Sequence, residues 1–102
     1  MTRLFYILVK FNYKKYRSRK YHALIDTGAN LSVAKYNVLP QEMWKKKKRP
    51  LRMESAGKEI HLMELEAHDV EVQIGRYILK IKLLNQFNEH SCDIILGMDF
   101  IE

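Results

Sequence analysis

With 102 residues, 47% of them hydrophobic and 29% charged, the chain has the size and composition of one globular domain, residues 1–102. A single cysteine, Cys92, excludes an internal disulfide, and the apolar run at residues 4–9 is too short for a membrane span or a signal-peptide core, so no membrane partner is expected. The formal charge of +6 is unevenly spread: residues 1–50 hold 13 Lys and Arg against 2 acidic residues, and residues 51–102 hold 5 against 10.

Residues 4–11, rich in Ile, Val, Phe and Tyr, read as a strand. The basic residues 13–20 then read as a hairpin connection. Residues 21–25 form a second strand that runs directly into Asp26-Thr27-Gly28-Ala29-Asn30, where Gly28 signals a turn. Leu31-Ser32-Val33-Ala34 resumes strand chemistry until Leu39-Pro40 breaks it. Residues 41–48 suit a short helix or a loop, because Lys45-Lys46-Lys47-Lys48-Arg49 repels itself and favours solvated backbone. Met43 and Trp44 are the apolar anchor beneath that charge.

Residues 51–55 and 59–65 flank Ala56-Gly57 and read as a hairpin with Gly57 near its tip. Residues 70–74 alternate as a separate half-buried strand, and Gly75-Arg76 fits a two-residue type II′ turn. In the return strand Tyr77, Leu79, Ile81 and Leu83 share one face, with Lys80 and Lys82 opposite. Residues 85–91 are polar and looped. Asp93-Ile94-Ile95-Leu96 is a buried strand ended by Gly97, and residues 98–102 begin a helix. Many short strands with turn signals between them indicate an all-β domain, closed or sandwich-like.

Asp26 stands between the apolar strand Ala23-Leu24-Ile25 and a Thr-Gly turn, which presents a carboxylate at the end of a rigid element. Alone, such an Asp would be one that caps its own turn. Ile94-Ile95-Leu96-Gly97, about seventy residues later, adds a second motif. In this order and spacing the two resemble the retroviral-type aspartic proteases, the retropepsins. Among them the chain most resembles the protease domains of plant pararetrovirus polyproteins, the caulimovirus, badnavirus and tungrovirus group. The resemblance runs from about Phe5 to Ile101.

That resemblance implies a retropepsin-like acid protease barrel with one Asp-Thr-Gly lobe per chain, a flap hairpin and a short C-terminal helix. It implies that Asp26 is catalytic and that Thr27 bonds across to the partner chain's backbone. Gly28, Ala29 and Asn30 would line the substrate, Asn30 falling where many retroviral enzymes carry an Asp. Residues 51–64, with Ala56 and Gly57 at the tip, match the flap. Ile95, Leu96 and Gly97 would support the catalytic turn, with both glycines permitting close backbone approach.

Only one Asp-Thr-Gly occurs in the sequence. The two carboxyls that this chemistry needs must then come from a homodimer, one Asp26 from each chain. Family members continue past the Leu-Gly helix into an interleaved strand. Five residues follow Gly97 here, so that strand is absent unless residues 1–5 replace it, and a weak dimer is expected. The implied substrate is a polyprotein held as an extended peptide, in the host cytoplasm or the virion. No cofactor is implied.

His22, His61, His68 and His90 have no metal-ligand spacing, so no metal is expected. Cys92 reads as a buried thiol rather than a nucleophile. The basic runs, interleaved with Tyr13, Tyr16 and Tyr21, read first as solvated loops, and contact with nucleic acid as incidental. Two rival readings remain: a catalytically idle retropepsin-like binding or dimerisation domain, and a basic β-barrel that binds nucleic acid. Dependence of turnover on Asp26 separates the first, and steeply salt-dependent binding the second.

Overall fold

The computed structural model describes residues 5–12, 19–54, 59–88 and 91–101. Seven strands follow in chain order: β1 (Phe5–Phe11), β2 (Lys20–Ile25), β3 (Val33–Ala34), β4 (Lys45–Glu54), β5 (Ile60–Ile74), β6 (Tyr77–Gln86) and β7 (Ile94–Leu96). The helix α1 (Met98–Ile101) comes last, and 3-10 turns occupy Tyr36–Val38 and Gln41–Met43. Among the described residues no helix is long and apolar enough to cross a membrane.

The strand order is β1-β2-β7-β3-β6-β5-β4, and β1 also pairs with β5. That extra pairing, Lys10 with Gln73 and Phe11 with Val72, closes six strands into a barrel and leaves β4 outside the ring on β5. The fold is the expected all-β one, with a short C-terminal helix. Val9, Phe11, Ala23, Val70, Val72 and Leu84 fill the interior. A second apolar cluster of Leu24, Val33, Met63, Phe87 and Ile95 lies on the other side of the central strands. The C-terminal end of β2 and all of β7 are therefore buried on both faces: Ala23 and Ile94 point to one cluster, Leu24 and Ile95 to the other. This is why Ala23-Leu24-Ile25 and Ile94-Ile95-Leu96 read as continuous apolar runs.

Three local expectations are corrected. The lysine run is not in a helix or loop: Lys45 to Arg49 lie within β4, because Lys47 turns inward and is buried against Glu66. Residues 59–65 and 70–74 do not form separate strands, since β5 runs unbroken from Ile60 to Ile74. Within its intervening stretch Ala67 is buried, Glu66 is half-buried, and His68 and Asp69 are exposed, with Asp69 at a left-handed φ of 52°. Asn85 is not in a loop; it is fully buried near the end of β6, with its N–H bonded to the Ser32 carbonyl at 3.0 Å.

The β5–β6 hairpin turns at Gly75-Arg76, as expected, with Ile74 paired to Tyr77 and Gly75 at φ 60°. Of the four residues assigned to one face of β6, Ile81 is buried, Leu83 is half-buried, and Tyr77 and Leu79 are exposed. Trp44 is the anchor foreseen for the basic run; its ring stacks on Tyr36 and its indole N–H donates to the Tyr36 carbonyl at 2.9 Å.

Candidate active site

Parallel pairing of β2 with β7 sets Ile25 beside Leu96, and the next residues out of the two strands are Asp26 and Gly97. The Asp26 N–H continues the ladder by donating to the Leu96 carbonyl at 3.0 Å. The Asp26 backbone is thus held by a strand buried on both faces, while its side chain is only half-buried. Within the turn, the Gly28 N–H donates to Asp26 Oδ1 at 2.9 Å and the Ala29 N–H to the Asp26 carbonyl at 3.2 Å. Turn capping and a presented carboxylate are therefore combined in one residue. Oδ2 has no hydrogen-bond partner among the described residues.

Gly28 is favoured by closeness, since a Cβ there would stand 3.2 Å from Asp26 Oδ1 and push that oxygen aside by a few tenths of an ångström. The constraint at Gly97 is stronger. A Cβ would lie 2.7 Å from the carbonyl oxygens of both Ala29 and Leu31, backbone atoms that cannot swing away. The chain after Gly97 stays on the turn: the Met98 N–H donates to the Ala29 carbonyl at 2.8 Å and the Asp99 N–H to the Asn30 carbonyl at 3.3 Å.

A clamp that the sequence did not reveal locks this crossing. Ser32 is fully buried. Its hydroxyl donates to Asp99 Oδ1 at 2.6 Å, its N–H donates to Asp99 Oδ2 at 3.1 Å, and its Oγ accepts the Gly97 N–H at 3.0 Å. One carboxylate at the start of α1 thereby ties the strand after the turn to the glycine beneath it. Asn85 adds its N–H and, at 3.4 Å, its Nδ2 to the Ser32 carbonyl, while its buried Oδ1 has no partner.

Thr27, Gly28 and Asn30 are exposed and Ala29 is half-buried. The Thr27 hydroxyl has no hydrogen-bond partner among the described residues. Ile95, Leu96 and Gly97 are buried beneath the turn. Ala56 and Gly57 lie outside the described residues, but the strands leading to them pair from Leu51 with Met63 to Glu54 with Ile60. Below this hairpin, Met53 and Met63 pack on the second apolar cluster with Ala29 and Leu31. Cys92 is half-buried rather than buried; its Sγ lies 3.8 Å from the Tyr6 hydroxyl, a contact that holds the phenol above its ordinary value. Among the described residues no group of three His, Cys, Asp or Glu could hold a metal ion.

The crossing of an Asp-Thr-Gly turn with a Leu-Gly strand agrees with a comparison of sequences, in which the Cauliflower mosaic virus peptidase (A3) family matches residues 2–102. The chain belongs to that family. The chain is 36% identical over 100 residues to a putative enzymatic polyprotein of Cassava vein mosaic virus, covering 98% of this chain and 15% of the relative. It is 31% identical over 97 residues to the enzymatic polyprotein of Cauliflower mosaic virus (strain BBC), covering 95% and 14%. It is 25% identical over 95 residues to that of Figwort mosaic virus (strain DxS), covering 93% and 14%. The chain thus spans about one-seventh of the length of these relatives.

Proposed function

We propose that the chain is an aspartic endopeptidase domain, residues 1–102, that cleaves a viral polyprotein and works as a homodimer with one Asp26 from each protomer. The observation that carries this reading is the support given to Asp26. Its backbone is fixed by Leu96 and its Oδ1 by Gly28, and Oδ2 has no described partner. A carboxylate held that firmly is suited to pass a proton without reorganising. Peptide hydrolysis by this route uses one ionised and one protonated carboxyl. The first takes a proton from water as it attacks, and the second donates to the scissile carbonyl oxygen. Two carboxyls held side by side favour that singly protonated state, because they share a proton at lower cost than both ionise.

The rest of the site suits the same role. The exposed Thr27 hydroxyl is available to bond the partner's turn. Phe5 and Tyr6, each more than half exposed on the strand beside Ile25, offer apolar surface for contact between protomers. The substrate lies as an extended peptide between the β4–β5 hairpin and residues 28–30, with Ala56 and Gly57 covering it. The domain acts within the polyprotein or after release from it, in the host cytoplasm or the virion. The relatives' description as enzymatic polyproteins accords with this.

The test is turnover of peptides spanning the chain's own polyprotein junctions by the parent and by Asp26→Asn. Rate should fall about 10²–10⁴-fold, the usual worth of a general acid or base, with circular dichroism unchanged. A folded Asp26→Asn protein that cuts at the parent rate would rule out the assignment.

A further inference from the structure

The basic run is held in an ordered strand at the edge of the sheet. Strand β4 is last in the strand order, with β5 on one side and no described strand on the other. Pairing passes from Lys46 opposite Leu65 to Leu51 opposite Met63, so residues 47–50 of β4 stand against Glu64 alone and form a bulge. Lys47 is the root of the bulge. Its side chain is 5% exposed and its ammonium sits 3.1 Å from Glu66 Oε1, while His68 occupies the other Glu66 oxygen. The half-buried Glu66 carboxylate is therefore already engaged. Lys45, Lys46, Lys48 and Arg49 are all exposed, and none forms an ion pair with a described carboxylate. With Glu66 and His68 they border a surface groove of about 530 Å³.

An aromatic surface adjoins this array. Trp44, the residue before Lys45, is buried and stacked at 16° on Tyr36, which is 37% exposed. Tyr36 thus stands beside Trp44, its ring centroid 6.4 Å from that of the indole, with part of the residue open to solvent.

We infer that β4 and Tyr36 form a binding site for single-stranded nucleic acid, with Lys45, Lys46, Lys48 and Arg49 on the phosphodiester backbone and Tyr36 under a base. Four exposed cations within residues 45–49 of one edge strand give a dense run of positive charge that a phosphodiester backbone can follow. Lysine binds phosphate as a point charge, without reading sequence. An aromatic face can be used only by a base that is not already stacked in a duplex. An acidic peptide fits less well. Its usual route onto an edge strand is backbone pairing, which the bulge interrupts and Pro50, lacking an N–H, cannot support. Lysines also guard sheet edges against such pairing, but here the bulge and Pro50 already do so.

The test is fluorescence anisotropy of a labelled oligothymidylate about 16 nucleotides long, within the span of known single-strand sites, titrated over a range of salt. Replacing Lys45, Lys46, Lys48 and Arg49 together by Gln should weaken binding at least about 10-fold at low salt. It should also flatten the slope of log K against log salt by about 3, at ~0.7 per lost phosphate contact. Lys46→Gln with Lys48→Gln, a milder pair, should give about half that change in slope. Tyr36→Ala should cost about 5-fold or more with the slope unchanged. Lys80→Gln with Lys82→Gln, exposed on β6, should leave binding as it was. Either lysine variant binding like the parent would overturn the site. So would equal loss in the β6 control, which would assign binding to net charge alone, or tighter binding of polyglutamate than of the oligonucleotide.

Discussion

Asp99 receives two hydrogen bonds from one residue, the N–H and the hydroxyl of Ser32, and so needs both of its oxygens as acceptors. Asparagine keeps one acceptor and turns an NH2 toward the other donor. Ser32 is fully buried, so the donor left behind has no water to fall back on. Asp99→Asn should therefore cost about 1–3 kcal/mol, or roughly 5–20 °C in Tm for a chain of this length. Asp93→Asn, which removes only an exposed 3.8 Å pair with Lys35, should change Tm little. Thermal unfolding of the two proteins checks this, and equal Tm values would show that the clamp adds nothing. Asp26, Gly28 and Gly97 were legible in the sequence because each sits in a contiguous motif. Ser32 and Asp99 were not, because their pairing spans 67 positions and each looks ordinary in its own segment. The only local sign was Asp99 two residues after Gly97, which reads equally well as an acidic residue opening a helix.

Strand β4 shows where reading elements from charge fails. Five consecutive cations argue for a solvated loop, and the argument would hold if all five faced water. Lys47 does not: it is buried against Glu66 on β5, and that pairing depends on a strand some twenty residues away that charge patterning cannot locate. β1, β2, β7 and the β5–β6 turn were legible because apolar runs and a Gly-first turn encode them locally. The single long β5 was not, since its polar stretch at Glu66 to Asp69 imitates a connection. The Lys47–Glu66 pair has a signature in pH. Burial raises the Glu66 carboxyl, but Lys47 and then His68 outweigh it and hold the group below its ordinary value. A lowered carboxyl contributes stability above the ordinary value of about 4.3, and this is lost as pH falls through the folded value. The parent should unfold at higher temperature than Glu66→Gln at neutral pH, and the gap should close on acidification. A gap constant with pH would mean that the carboxylate's charge is not what holds Lys47 inside.

For the whole molecule, one Asp-Thr-Gly in 102 residues makes the proposed activity a property of pairs. Specific activity should then fall on dilution below the dimer dissociation constant and recover when a peptide inhibitor spanning both halves is added, since it binds only the paired state. Turnover measured beside sedimentation over a range of concentration tests this; undiminished activity in a strictly monomeric sample would refute the shared site. The crossing of β2 and β7 has a further consequence in time. Ser32 and Gly97 are 65 residues apart, and the carbonyl that receives the Asp26 N–H is on Leu96. On a ribosome adding about 5–20 residues per second, Asp26 is made roughly 3.5–14 s before the Leu96 that fixes it. Until then the carboxylate rides on an unsupported loop. The Asp26 turn is thus completed only once β7 has been made.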